Sequence, residues 1–148
     1  MRSLTPVYIA HPFSTYGDLR SNIEKQKTIC SFYNTDIFLP ISPILNFNGW
    51  LPADMESYER VMVVCNNLLL LCKEAHFWGE WEKSKGCQME MGWCKENNIL
   101  VRVFKSIDDL KKVQQDIVYE RFMEASKMSI WTHDPLQKHT EGDKNEQN

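Results

Sequence analysis

No stretch of this chain is long and apolar enough to span a bilayer. The opening residues, MRSLTPVYIAHPF, hold neither the apolar core of a secretory signal nor the amphipathic pattern of a transit peptide. The expectation is a cytoplasmic protein with no membrane partner. A basic surplus is also missing. Seventeen Lys and Arg against twenty Asp and Glu give a net charge of −3, and the isoelectric point is near 5.8, so the footprint of a protein that grips a polynucleotide backbone is absent. The five cysteines, Cys30, Cys65, Cys72, Cys87 and Cys94, contain no CxxC pair and are odd in number, which argues for reduced core thiols and against a disulfide framework. His11, His76, His133 and His139 do not combine with Cys72 into zinc-site spacing, so no metal is expected. Without a Walker loop or a G-x-G-x-x-G turn, ATPase and dinucleotide-dehydrogenase functions are disfavoured, and no cofactor is expected.

What is present is a globular composition, 148 residues that are 43% hydrophobic and 25% charged, enough for one core and one domain. Val7 to Ala10 reads as a short buried strand closed by His11-Pro12. A helix capped by Asp18 follows, with Leu19, Ile23, Cys30 and Tyr33 recurring at helical spacing. Asp36 to Leu39 gives a second strand, and the segment PISPILNFNGWLP, with three prolines and a glycine, reads as a loop. Asp54 caps a second helix in which Met55, Tyr58, Met62 and Cys65 share a face, leaving Glu59 on another. The apolar run Leu68 to Cys72 reads as a central strand buried on both faces. An aromatic loop, HFWGEWEKSKG, then leads to a helix from about Ser84 to Asn97, and Ile99 to Phe104 is the clearest strand. Ser106 opens the last helix, and the polar segment from about Thr132 is expected to be a disordered tail. Alternation of strand and helix predicts an α/β, Rossmann-like single domain, with a parallel sheet of four to five strands flanked by helices, over residues 1–131.

Ligands of open parallel sheets bind outside the carboxyl ends of the strands, which directs attention to the loops after the first, second and third strands. The third runs into a helix as Trp81-Glu82-Lys83-Ser84-Lys85-Gly86-Cys87-Gln88-Met89-Glu90. Free N–H groups and the positive dipole end at Ser84, Lys85 and Gly86 favour an anion and are expected to keep Glu90 ionised. An ionised carboxylate held beside an anomeric carbon can capture the oxocarbenium-like centre left by a departing base.

Tyr8-Ile9-Ala10-His11-Pro12-Phe13, followed by Trp81-x-x-Ser84-x-Gly86-x-x-x-Glu90-x-Gly92, resembles the nucleoside 2-deoxyribosyltransferase superfamily, which includes deoxynucleoside 5'-monophosphate N-glycosidases. The similarity runs from about Val7 to Phe104. The resemblance implies that Glu90 is the glycosidic nucleophile, that the turn after the first strand contacts the ligand, and that an acidic residue on the preceding helix orients the nucleophile or serves the leaving base. Glu59 is the best match for that acid, although Tyr58 also aligns there. The chain departs from the family's Asp residues with Glu59 and with Asn66 or Asn67, and places His11 where Gly or Ser is common. Ser84 matches the members that act on monophosphates, since a carboxylate there would repel a phosphate dianion while a serine hydroxyl can donate to it.

The resulting expectation is hydrolysis of the base–sugar bond of a 2'-deoxynucleoside 5'-monophosphate, with Glu90 and Glu59 catalytic. Tyr8, Ala10, His11, Pro12, Phe13, Trp81, Ser84 and Gly86 are the expected substrate contacts. A deoxyribosyltransferase and a non-catalytic nucleotide-binding or sensing domain are the alternatives. The resemblance also implies a homodimer or larger homo-oligomer.

Overall fold

The computed structural model describes residues 4–13, 19–46 and 55–131, with the side chains of Leu19, residues 55–57 and residues 129–131 left undescribed. The expected caps Asp18 and Asp54, Trp50 and the polar tail from Thr132 lie outside the described residues. The elements run β1 (Thr5–Ala10), α1 (Leu19–Ser31), β2 (Phe38–Ile41), α2 (Pro43–Asn46), α3 (Met55–Leu70), β3 (Glu74–Trp78), a 3-10 turn (Trp81–Lys83), α4 (Lys85–Glu96), β4 (Leu100–Phe104) and α5 (Ile107–Trp131). The four strands form one sheet in the order β2-β1-β3-β4, and every pairing is parallel. The fold is the α/β, Rossmann-like single domain that alternation predicts.

Side chains alternate across the sheet and define two cores. Tyr8, Ala10, Ala75 and Phe77 point to one face, where Cys65 and Leu69 of α3 and Cys87 and Cys94 of α4 close over them. Val7, Ile9, Phe38, Trp78 and Phe104 point to the other, against Tyr33, Ile37 and Leu110, with Ile29 and Cys30 of α1 alongside. Period-two alternation in strands forces this division.

Three expectations need correction. Leu68 to Cys72 is not a strand: it is the last turn of α3 and the turn beyond it. There Leu69 is buried while Leu70 and Leu71 are exposed, the one-sided pattern of an amphipathic helix end. The third strand is Glu74–Trp78, which runs into the start of the segment read as an aromatic loop. Its polar Glu74 and His76 concealed it, because they face a polar network within the core. The second strand lies slightly later than Asp36 to Leu39 and contains Pro40, which is tolerated because β2 is an edge strand hydrogen-bonded only to β1. The loop that follows also holds one helical turn, α2, with Pro43 at its first position, where a missing N–H costs nothing.

The network beneath β3 explains why a strand can bury a histidine. Trp78 Nε1 donates to Tyr33 Oη at 3.1 Å, and Tyr33 Oη lies 2.8 Å from His76 Nδ1. His76 Nε2 lies 3.1 Å from Glu74 Oε2, which accepts from Arg102 Nε at 2.9 Å. Because the indole can only donate, the consistent assignment is Tyr33 donating to Nδ1 and a neutral His76 donating from Nε2 to the carboxylate. Burial holds the His76 pKa below its ordinary value despite Glu74, and the His76 hydrogen bond, with Arg102, holds Glu74 below the usual carboxylate range.

Candidate active site

β1 and β3 are adjacent, and their onward connections leave in opposite directions, so the crevice between their carboxyl ends is the topological switch point of the sheet. The segments leaving both strands meet there. Gly79 follows β3 with φ +65°, and a Cβ at that position would lie 3.4 Å from His11 Nε2 and 3.9 Å from Pro12 Cδ. The left-handed backbone favours glycine here, and a Cβ would only make ordinary contact with the β1 loop. His11 Nδ1 lies 2.8 Å from the Pro12 carbonyl, and burial lowers the His11 pKa, so the ring acts as a neutral clasp on its own turn. Pro12 is buried and Phe13 half-buried, with the Phe13 carbonyl accepting from the buried Asn22 Nδ2 at 2.6 Å.

α4 starts at this end of the sheet. Ser84 caps it: Ser84 Oγ accepts from Cys87 N at 3.4 Å, and its carbonyl accepts from Gln88 N at 2.9 Å. Among the described hydrogen bonds none uses the N–H of Lys85 or Gly86, which are therefore available to an anion. Gly86 faces α3: a Cβ there would stand 3.5 Å from Tyr58 Oη and 3.8 Å from Met62 Sδ. Trp81 packs edge-on against Phe77 with ring centroids 5.3 Å apart, and its buried Nε1 has no hydrogen-bond partner among the described residues.

Glu90 sits in the second turn of α4 with only 7% of its surface exposed. Tyr8, fully buried in β1, donates its hydroxyl to Glu90 Oε1 at 2.6 Å. The space for this ring exists because its register partner on β3 is Ala75. The helix end is expected to help keep Glu90 ionised, and burial works against it. Burial raises its pKa to about 7, and the hydrogen bonds from Tyr8 and Cys87 only partly oppose that rise. Around it burial and the Glu90 charge push the thiols of Cys65 and Cys87 up to about 12, so both remain protonated donors. Tyr8 is raised well above its ordinary value, first by burial and then by Glu90, and keeps its proton.

Among the residues expected from sequence, the structure brings Tyr8, Ser84, Gly86 and Glu90 together and sets His11, Pro12 and Phe13 at the neighbouring switch point. Ala10 faces the same core as Tyr8. Glu59 is exposed, and no hydrogen bond or ion pair among the described residues joins it to Glu90. The residue of that helix turn that faces the carboxylate is Tyr58, 38% exposed, whose hydroxyl overhangs Gly86 and whose pKa is raised by burial and by the Glu90 charge. Asn66 and Asn67 lie within α3, not at the start of a strand. Phe77 and Trp78 are core residues of β3. A surface groove of about 510 Å³ lies elsewhere, between Asn34 and Gln114, Val118, Tyr119 and Phe122 of α5.

A family model described as a domain of unknown function, DUF7768, matches residues 5–104. The chain belongs to the DUF7768 family. The match starts at the first residue of β1 and ends at the last of β4, so the DUF7768 domain comprises the whole sheet, α1 to α4 and every candidate site residue, while α5 lies beyond it. No curated protein matches this DUF7768 chain. No helix among the described residues is long and apolar enough to cross a membrane.

Proposed function

We propose that this protein is an N-glycosidase of the nucleoside 2-deoxyribosyltransferase type, acting on a 2'-deoxynucleoside 5'-monophosphate with Glu90 as nucleophile. The observation that carries the reading is the Tyr8–Glu90 pair, a carboxylate buried at the carboxyl end of a parallel sheet and aimed by a hydroxyl at 2.6 Å. A carboxyl with a pKa of about 7 is substantially ionised at neutral pH and poorly solvated, a combination that favours attack on a carbon developing positive charge. Glu90 attacks C1', and the electrons of the C1'–N bond leave with the base, which takes a proton from solvent. Water then attacks C1' on the opposite face, restores the carboxylate and releases deoxyribose 5-phosphate. Attack by a second base in place of water would make the same intermediate a transferase.

Tyr8 keeps its proton throughout and positions the nucleophile, and Tyr58 takes the place the resemblance assigns to the helix acid. The unused N–H groups of Lys85 and Gly86, with the Ser84 hydroxyl, suit the phosphate. Chromatography for free base after incubation with each deoxynucleoside and its 5'-monophosphate tests the reading. Wild type should release base, and Glu90→Ala should lower the rate by ~1,000-fold or more. Equal release by the variant, or none by wild type, rules it out. Ser84→Asp keeps a competent cap but repels phosphate, so it should lose monophosphates selectively; equal loss of nucleosides would remove the phosphate assignment. The same reading carries a homodimer or larger assembly and a small nucleotide as the ligand.

A further inference from the structure

The clasp on Pro12 fixes the tautomer of His11. A carbonyl only accepts, so Nδ1, 2.8 Å from the Pro12 oxygen, carries the ring proton. Burial, joined by the Lys25 charge, lowers the His11 pKa despite that hydrogen bond, and the ring is neutral near pH 7. A neutral ring with its proton at Nδ1 presents a lone pair at Nε2. No hydrogen bond among the described residues uses that nitrogen, and the ring is half-buried, not sealed. Nε2 is the ring atom nearest Gly79, 3.4 Å from where a Cβ would stand, and glycine supplies no side chain to cover it. The carboxyl-end crevice between β1 and β3 therefore carries a fixed acceptor without a donor, and such a group discriminates strongly among ligands.

The parts of the ligand decide which donor meets it. Two of them belong to α4, with C1' at Glu90 and the phosphate at Ser84 to Gly86. His11 belongs to the β1 turn, and the part left to meet it is the base. Building on the glycosidase reading, we propose that His11 Nε2 is the specificity-determining acceptor of this site and takes a hydrogen bond from an N–H on the edge of the base. Two sources offer that chemistry, an exocyclic amine and a ring N–H. A base edge with neither sets lone pair against lone pair, or carbon against an acceptor that has lost its water, and is rejected. Because Gly or Ser is common at this position in the resembling superfamily, the selection belongs to this chain and not to the shared motif.

Titration calorimetry on Glu90→Gln measures binding apart from cleavage. The probes are dAMP and dCMP with an exocyclic amine, dIMP and dUMP with a ring N–H, and the purine and 2-pyrimidinone deoxynucleotides that have neither. In at least one size of base, a donor-bearing nucleotide should bind ~10-fold or more tighter than the one without a donor, and which of them does so identifies the source. Adding His11→Asn keeps an amide N–H near the Nδ1 position for Pro12 but leaves no atom at Nε2, so it should erase the preference while the melting temperature holds. His11→Gln, whose amide oxygen reaches the Nε2 position, should recover part of it. Equal binding of all six nucleotides overturns the proposal, as does a preference that His11→Asn leaves intact. A His11-dependent loss on removing the sugar 3'-hydroxyl, with the base preference absent, places the contact on the sugar and also overturns it. If wild type releases no base while the His11-dependent preference holds, the cleavage chemistry fails and the acceptor stands; base release without the preference gives the reverse.

Discussion

Glu90→Gln should make the protein more stable above neutral pH while abolishing the proposed base release. The carboxyl has an ordinary value of 4.5 in the unfolded chain and about 7 in the folded one. The folded protein therefore binds this proton more tightly than the unfolded chain does, and the sign follows from linkage. The associated stability is fully present below pH 4.5, falls as the pH rises towards 7, and is gone above it. Each pH unit between those values is worth about 1.4 kcal/mol, so ionising Glu90 in place costs ~3 kcal/mol. Glutamine is neutral and still accepts from the Tyr8 hydroxyl, but its amide N–H groups need partners, a cost of about 1 kcal/mol. The net expectation is a variant more stable than wild type by roughly 2 kcal/mol at pH 8 and slightly less stable at pH 4.5. Urea unfolding of both proteins, followed by tryptophan fluorescence from pH 4.5 to 8, measures the difference directly. His11 and His76, whose pKa values are depressed by burial, titrate equally in both proteins and cancel. A wild-type-minus-variant difference that stays flat across that range, or a variant less stable at pH 8, would refute the burial argument.

Two further outcomes follow from the geometry. Tyr33→Phe removes the one hydroxyl that serves both Trp78 Nε1 and His76 Nδ1, so it should destabilise by ~2–4 kcal/mol in the same urea experiment. A cost below about 0.5 kcal/mol would mean that water replaces the hydroxyl. Tyr58→Phe and Glu59→Gln separate the two neighbours on α3: base release should fall about 10-fold or more for Tyr58 and less than about 2-fold for Glu59. The reverse order in steady-state rates would return the partner role to Glu59.

Residues 36–41, 58–59 and 68–78 show what the sequence could and could not reveal. Strands β1 and β4 were legible because β-branched and aromatic residues run unbroken between clear stops. Helices α1 and α5 were legible from periodicity, and Ser106, read as opening α5, accepts from Asp109 N while Asp109 Oδ2 accepts from Ser106 N. β3 was hidden because a buried His76 and a half-buried Glu74 look polar until Tyr33, 43 residues away from His76, supplies a partner. Leu68 to Cys72 misled because four leucines fit a buried strand or a helix end equally well, and only burial distinguishes them. In the site, the spacing of Ser84, Gly86 and Glu90 was visible, but the Tyr8–Glu90 bond spans 82 positions and could only be seen folded. The helical face through Tyr58, Met62 and Cys65 already set Glu59 aside. Matching an acid to an acid obscured what periodicity indicated, that the tyrosine is the inward residue.

The nucleophilic role of Glu90 is tested most directly by the stereochemistry of the product. With methanol present as a competing acceptor and a β-configured deoxynucleoside 5'-monophosphate as substrate, attack through a glutamyl intermediate inverts C1' twice. NMR of the trapped product should show the β-methyl glycoside of deoxyribose 5-phosphate. The α-methyl glycoside would mean a single displacement with Glu90 acting as a base, and would contradict the account.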